Sequence, residues 1–349
     1  MVVIDSIVGI TGLLLTISSL ISPSDVPKAK VRVQIQTGDV SGDSGGHIPS
    51  IYLKASDRGD IGSYTNWRTN DKIGTGDYWN IDIETTRPRE LALLELTAKW
   101  TRYDNGNKEM RSGPLNDGIC IAYMSWTPES TMFNAKNRKG AITGDLFYYC
   151  GLDWYHSAKT IPNKKGSPYT PRCGWIDGDN SSGNSAYSIL LNTDILGDGY
   201  LKGFYKGKRN INEICGWGIG FSKGSLPRKR SATETFGNKA YITAGEGAIS
   251  LCDSATSWGP SMLSLSEGIF CDMETKSKIP LCRNGQTAGC MKYDRVQGRM
   301  NSRGRRGPPQ RFLAPLNVSR EVASFDSYKV EYFTRSYTNG TVYDDGSDV

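Results

Sequence analysis

Asp153 and His156 stand three residues apart in the block LDWYH. A carboxylate beside an imidazole can act as a general base, and with a distant Ser or Cys nucleophile the pair could serve a hydrolase. The competing reading makes His156 a structural imidazole held among aromatics. Further on, Asp177, Asp179 and Ser181 place oxygens at the first, third and fifth positions of a polar loop. The first half of an EF-hand loop converges on calcium with that spacing. Position six is Ser182 rather than Gly, and position twelve is Ser188, which cannot give the bidentate carboxylate of a Glu. A plain Asx-rich turn therefore competes with the metal reading. Calcium is the one cofactor these residues could hold; otherwise none is expected.

Trp154, Tyr155, Trp175 and Trp217 could form a stacking surface for a sugar or another ligand; the alternative places them in the core. They are interspersed with cysteines. The chain has eight, Cys120, Cys150, Cys173, Cys215, Cys252, Cys271, Cys282 and Cys290, with no CxxC and only two histidines, His47 and His156. Zinc ligation by Cys/His spacing is therefore disfavoured. An even cysteine count suits disulfides in an oxidising compartment, with reduced thiols in the cytosol as the alternative. Eight cysteines allow on the order of a hundred pairings, and the sequence selects none.

Asn180, Asn317 and Asn339 each begin an Asn-x-Ser/Thr triplet in a polar context, where a glycan could be attached. Arg230 ends the dibasic pair Lys229-Arg230, and Arg306 ends RGRR; both fit cleavage by a processing protease of the secretory pathway, with an ordinary solvated loop as the alternative at Arg230. Residues 1–24 hold an apolar run, Ile7 to Ile21, of signal-peptide length but with Asp5 and no Lys or Arg before it. As a helix, the same segment puts Val3, Ile7, Ile10, Leu14, Ile17 and Ile21 on one face. It reads as a cleaved signal, a membrane or partner helix at 1–22, or a core helix.

These residues need a scaffold. The chain has 349 residues, 37 % hydrophobic, 40 of them Gly, and a formal charge of +6. Such a composition favours many short strands joined by turns. Alternation marks Val31–Thr37 as a half-buried strand, and Ile51–Lys54, Trp79–Ile83, Leu91–Trp100, Gly118–Trp126, Asp145–Cys150, Ala186–Asn192, Gly216–Phe221 and Ser327–Tyr337 read as further strands. The expected fold is mainly β: a sandwich or jelly-roll-like body with a Cys-rich, loop-rich second half and a short N-terminal helix. The expected parts are 1–24, signal or amphipathic helix; 25–110, N-terminal β region; and 111–222, central Cys/Trp β core. They continue with 223–295, Cys-rich; 296–315, basic flexible linker; and 316–349, C-terminal strand and acidic tail. The linker's arginines lack interleaved aromatics, so nucleic acid is not an expected partner.

The blocks DGICIAYMSW, GDLFYYCGLDWYHS and PRCGWIDGDNSSG resemble those of a family of uncharacterised ascomycete fungal proteins, over residues 100–290. That resemblance implies a fungal source and carries no activity across. The opening strand, TGDVSGD loop and IYLKASD strand resemble more loosely the start of PLAT-type lipid-associated β-sandwiches. The function expected is that of a secreted, disulfide-stabilised, non-enzymatic binding protein, effector- or toxin-like, recognising a surface, glycan or partner protein. The alternatives are a hydrolase using Asp153 and His156, and a membrane-active protein using an uncleaved N-terminal helix.

Overall fold

The strand β1 (Lys30–Thr37) carries the alternation that organises its sheet: Val31, Val33 and Ile35 point inward, while Lys30, Arg32 and Gln34 lie between them. It belongs to a computed structural model that describes residues 29–39, 44–66, 71–85, 87–103, 110–114, 118–129, 133, 139–157, 159, 169–178, 186–197, 211–223, 236, 239–243, 247–283, 289–294, 299–303 and 328–332. The chain divides into two units, Met1–Lys229 and Arg230–Val349.

In the first unit the described strands are β1, β2 (Gly46–His47), β3 (Ser50–Lys54), β4 (Asp60–Tyr64), β5 (Lys72–Ile73), β6 (Tyr78–Glu84), β7 (Leu93–Thr97), β8 (Lys99–Tyr103) and β9 (Met110–Pro114). They continue with β10 (Ile119–Pro128), β11 (Gly140–Thr143), β12 (Trp154–His156), β13 (Arg172–Ile176), β14 (Ala186–Asn192) and β15 (Ile219–Lys223). One sheet runs β12-β13-β10-β1-β6, with β11 also paired to β10; a second runs β15-β14-β7-β3-β4. Every pairing in both is antiparallel. Val33, Ile35, Ile83, Met124 and Trp126 of the first sheet share one buried apolar cluster with Ile51, Leu53, Leu94, Leu96, Ile189 and Leu191 of the second. This is a β-sandwich, as the composition led one to expect. Both sheets combine strands from 25–110 with strands from 111–222.

The second unit is a sheet of β16 (Lys239–Thr243), β17 (Ser261–Ser264), β18 (Ile269–Asp272), β19 (Ser277–Pro280), β20 (Cys290–Asp294), β21 (Arg299–Arg303) and β22 (Tyr328–Tyr332). Its order is β19-β18-β17-β16-β22-β21-β20, with β16 parallel to both neighbours. Ala240, Ile242, Leu263, Phe270 and Met291 form its core. The basic stretch 296–315, expected to be a linker, contributes Arg299–Arg303 as a strand beside β20 and β22. Pairing satisfies the backbone there whatever the side-chain charge.

Two other expectations are corrected. Asp145–Cys150 is a short helix, Asp145–Tyr149, not a strand. The bracketing glycines decide it. A Cβ on Gly144 would come 2.2 Å from the Arg172 carbonyl, and Gly151 has φ +73. The Cys150 N–H donates to the Leu146 carbonyl at 2.9 Å and the Gly151 N–H to that of Tyr148 at 3.3 Å, a glycine-terminated helix end. Gly216 and Trp217 belong to a helical turn, and the strand begins only at Ile219. The expected helix within residues 1–24 lies outside the described residues.

The eight cysteines are all paired: Cys120–Cys173, Cys150–Cys215, Cys252–Cys271 and Cys282–Cys290. The first two close separations of 53 and 65 residues within the sandwich. In the chain-entropy picture each such loop removes about 4 kcal/mol of denatured-state freedom.

Candidate functional site

A buried polar cluster of the sandwich surrounds the Asp145–Tyr149 helix. β11 ends at Thr143, Gly144 makes the close approach described above, and Asp145 begins the helix with its side chain only 2 % exposed. A buried carboxylate needs several donors. The Thr143 hydroxyl donates at 2.9 Å, the Tyr169 hydroxyl donates a very short bond, and the Arg172 guanidinium pairs at 3.0 Å. That guanidinium also lies over two rings, Tyr148 at 4.2 Å and Trp154 at 5.0 Å. Arg172 thus locks the helix to β13 by charge and by cation–π contact. Its Nε is buried without a hydrogen-bond partner. Burial pushes the Tyr149 phenol up, partly offset by the Arg172 charge.

Beyond the helix, Cys150 is bonded to Cys215. Cys215 lies in the wide turn Ile214–Gly218, where the Ile219 N–H reaches back to the Ile214 carbonyl. Both ends of this turn are anchored: Ile214 is buried in the sandwich core, and a Cβ on Gly218 would meet the Ile195 side chain at 2.9 Å. Its middle projects outward. Trp217 is 76 % exposed. A Cβ at the neighbouring Gly216 would find nothing within 4 Å. Leaving most of an indole in water forgoes on the order of 4 kcal/mol of burial free energy, which a partner that covers it could recover.

The four aromatic candidates therefore separate. Trp154, Tyr155 and Trp175 are buried core residues, so they offer no stacking surface; Trp217 alone reaches solvent. Trp154 and Tyr155 sit in the edge strand β12 beside β13, which carries Trp175 and Cys173, and Tyr148 and the Arg172 guanidinium pack against Trp154. The structure also separates Asp153 from His156. The intervening residues are extended, which puts their Cα atoms about 10 Å apart. His156 lies edge-on to Trp154 at 5.5 Å, and Asp153 is buried. Of the calcium candidates, Asp177 is buried with its N–H bonded to the Ala186 carbonyl, and Asp179 and Ser181 lie outside the described residues. Among the described residues no three His, Cys, Asp or Glu side chains are grouped to hold a metal. Asn180, Asn317, Asn339, Arg230, Arg306 and residues 1–22 also fall outside the described residues.

Three serine arrangements escaped the sequence reading. Gly42-Asp-Ser44-Gly-Gly46 and Gly220-Phe-Ser222-Lys-Gly224 both have Gly-x-Ser-x-Gly spacing. A nucleophile elbow would place such a serine, exposed, at a strand-to-helix turn. Ser44 is buried and its hydroxyl donates to the Gly38 carbonyl; Ser222 lies within β15. In the second unit Lys276 Nζ lies within hydrogen-bond reach of the Ser257 hydroxyl, a juxtaposition that a Ser/Lys hydrolase uses with a neutral amine as base. Ser257 is 1 % exposed, however, and its own hydroxyl donates to the Leu251 carbonyl at 2.6 Å, at the end of the helix Ala248–Asp253. Lys276 donates to the Leu251 and Ser257 carbonyls as well. The pair closes a helix terminus. The network around Asp145 and Arg172 was missed too, because its members are spread over 27 residues and meet only through tertiary folding.

Fold and site together define a disulfide-stabilised β-sandwich on which, among the described residues, Trp217 is the tryptophan left mostly in solvent. Comparison with known proteins adds no relative: no family model, no curated protein and no solved structure matches the chain. Among the described residues no helix is long and apolar enough to cross a membrane.

Proposed function

We propose that this chain is a secreted, non-enzymatic binding protein, effector- or toxin-like, that recognises an external surface, glycan or partner protein through the Trp217 turn. One observation carries the reading: Trp217 is exposed on a turn held by the Cys150–Cys215 bond and by two core anchors. A large aromatic held rigidly at the surface loses little conformational entropy on binding, so most of its burial energy becomes affinity. Four disulfides support an oxidising destination. The resemblance of the Cys/Trp blocks to an ascomycete family supports a fungal source. The test is binding of the oxidised protein and of Trp217→Ala to glycan arrays and to extracts of extracellular matrix and cell surface. Specific capture that Trp217→Ala loses supports the reading; capture that is absent, or indifferent to the substitution, refutes it.

A further inference from the structure

The outer face of the β12-β13-β10-β1-β6 sheet holds two glutamines of opposite standing. Val31, Val33 and Ile35 of β1 point into the sandwich, so Gln34 and Gln36 lie on the other face. Gln34 is half-buried, and its amide oxygen accepts from the Ser125 hydroxyl at 3.0 Å. Gln36 is 0 % exposed, and neither its amide oxygen nor its amide nitrogen has a hydrogen-bond partner in the protein. Burying both ends of an amide unpaired is costly, and native proteins seldom do so without a reason.

The cross-strand neighbours of this amide are two phenols. Gln36 stands directly opposite Tyr78 on β6 and Tyr123 on β10. With strands about 4.8 Å apart, the two tyrosines bracket the amide across about 10 Å. Tyr123 is buried, hydrogen-bonded to Ser125 and kept neutral by burial, which pushes its pKa up to about 12. Tyr78 is 53 % exposed, and the Lys159 ammonium lies over its ring at 5.9 Å, near the outer limit of a cation–π contact.

An unpaired amide selects among ligands. An anion such as phosphate offers acceptors and would leave the amide oxygen unpaired; an ammonium offers donors and would leave the amide nitrogen unpaired. Hydroxyls on adjacent carbons both donate and accept, so a pair of them satisfies both ends. The carbon-bound hydrogens of a sugar ring supply an apolar face for the Tyr78 ring, and the span between the two tyrosines suits one such ring. We infer that Gln36, flanked by Tyr78 and Tyr123, anchors a binding site for one neutral pyranose ring. Entry is from the exposed Tyr78 side, where the sugar takes the position of the Lys159 ammonium. This site is independent of the Trp217 reading, which it neither needs nor supports.

The test is saturation-transfer difference NMR of the full-length oxidised protein with glucose, mannose, galactose and N-acetylglucosamine, read alongside the melting temperatures of two variants. At least one of these sugars is expected to bind with a Kd on the order of 1 mM. Gln36→Met keeps the length of the side chain and removes both unpaired atoms. It should raise the melting temperature by about 3 °C and weaken sugar binding at least roughly tenfold. Tyr78→Ala should leave the melting temperature within about 2 °C and weaken binding about fivefold. No transfer to any of the four sugars, or binding undiminished in Gln36→Met, overturns the inference. A Gln36→Met protein that melts lower also overturns it, because the amide would then be paired in the free protein, as by a buried water.

Discussion

Cys150, one residue past the Asp145–Tyr149 helix, is covalently joined to Cys215, two residues before the exposed Trp217, with the two Cα atoms 5.3 Å apart. The helix at one end of this bond is locked to β13 through Asp145 and Arg172, so the bond extends a rigid framework to the turn that carries the indole.

Removing that bond should cost stability and release the turn. The double substitution Cys150→Ser with Cys215→Ser is expected to lose about 4 kcal/mol and to lower the melting temperature by about 10 °C. Calorimetry gives the first quantity, and the emission anisotropy of the exposed indole should fall.

Arg172 is the next member of the framework. Arg172→Ala leaves the Asp145 carboxylate buried with its ion partner gone and removes the stack over Tyr148 and Trp154. Losing one partner of such a pair costs about 3–5 kcal/mol. Denaturant unfolding should show a lower midpoint of that size. A change of under about 1 kcal/mol would mean that the pair behaves as a surface ion pair.

Close packing between the helix and β13 gives a third prediction. A Cβ at Gly174 would stand 1.9 Å from Phe147 Cγ, inside the core. Gly174→Ala therefore forces the ring or the strand to move, at an expected cost of about 3 kcal/mol. Paired with Phe147→Leu, much of the loss should return, and a double-mutant cycle measures that return.

Tyr123 supplies the pH dependence. Its phenol is buried on β10, and burial pushes its pKa up to about 12. A raised folded value means that its contribution is fully present below the unfolded value of about 10 and is lost as pH rises through about 12. Phenolate absorbance should show a tyrosine titrating late in this window, with stability falling across it. In Tyr123→Phe that component of the fall should vanish.

How much of this was legible in the chain depended on whether neighbours in sequence decide the outcome. The strand at Val31–Thr37 was readable because one face is buried along its whole length, so alternation survives in the residue order. The segment DLFYYC misled because its aromatics favour strands, while its conformation is set by Gly144 against the Arg172 backbone and by Gly151 at positive φ. The four aromatics looked alike. Trp154 and Trp175 are buried in the paired strands β12 and β13, whereas Trp217 sits between Gly216 and Gly218 on a turn anchored at both ends, and the local sequence does not reveal which of them the fold will bury. The cysteine count pointed to disulfides; the pairing, and the contact of Asp145 with Arg172, are products of topology.

One measurement tests the oxidised, tryptophan-presenting scaffold most directly: peptide mapping without reduction, on the protein from its native source. The predicted result is four linked pairs, Cys120–Cys173, Cys150–Cys215, Cys252–Cys271 and Cys282–Cys290, and no alkylated thiol. Eight free thiols in the native material, or Cys215 joined to any partner but Cys150, would contradict it, removing the case for an oxidising compartment or the clamp beneath Trp217.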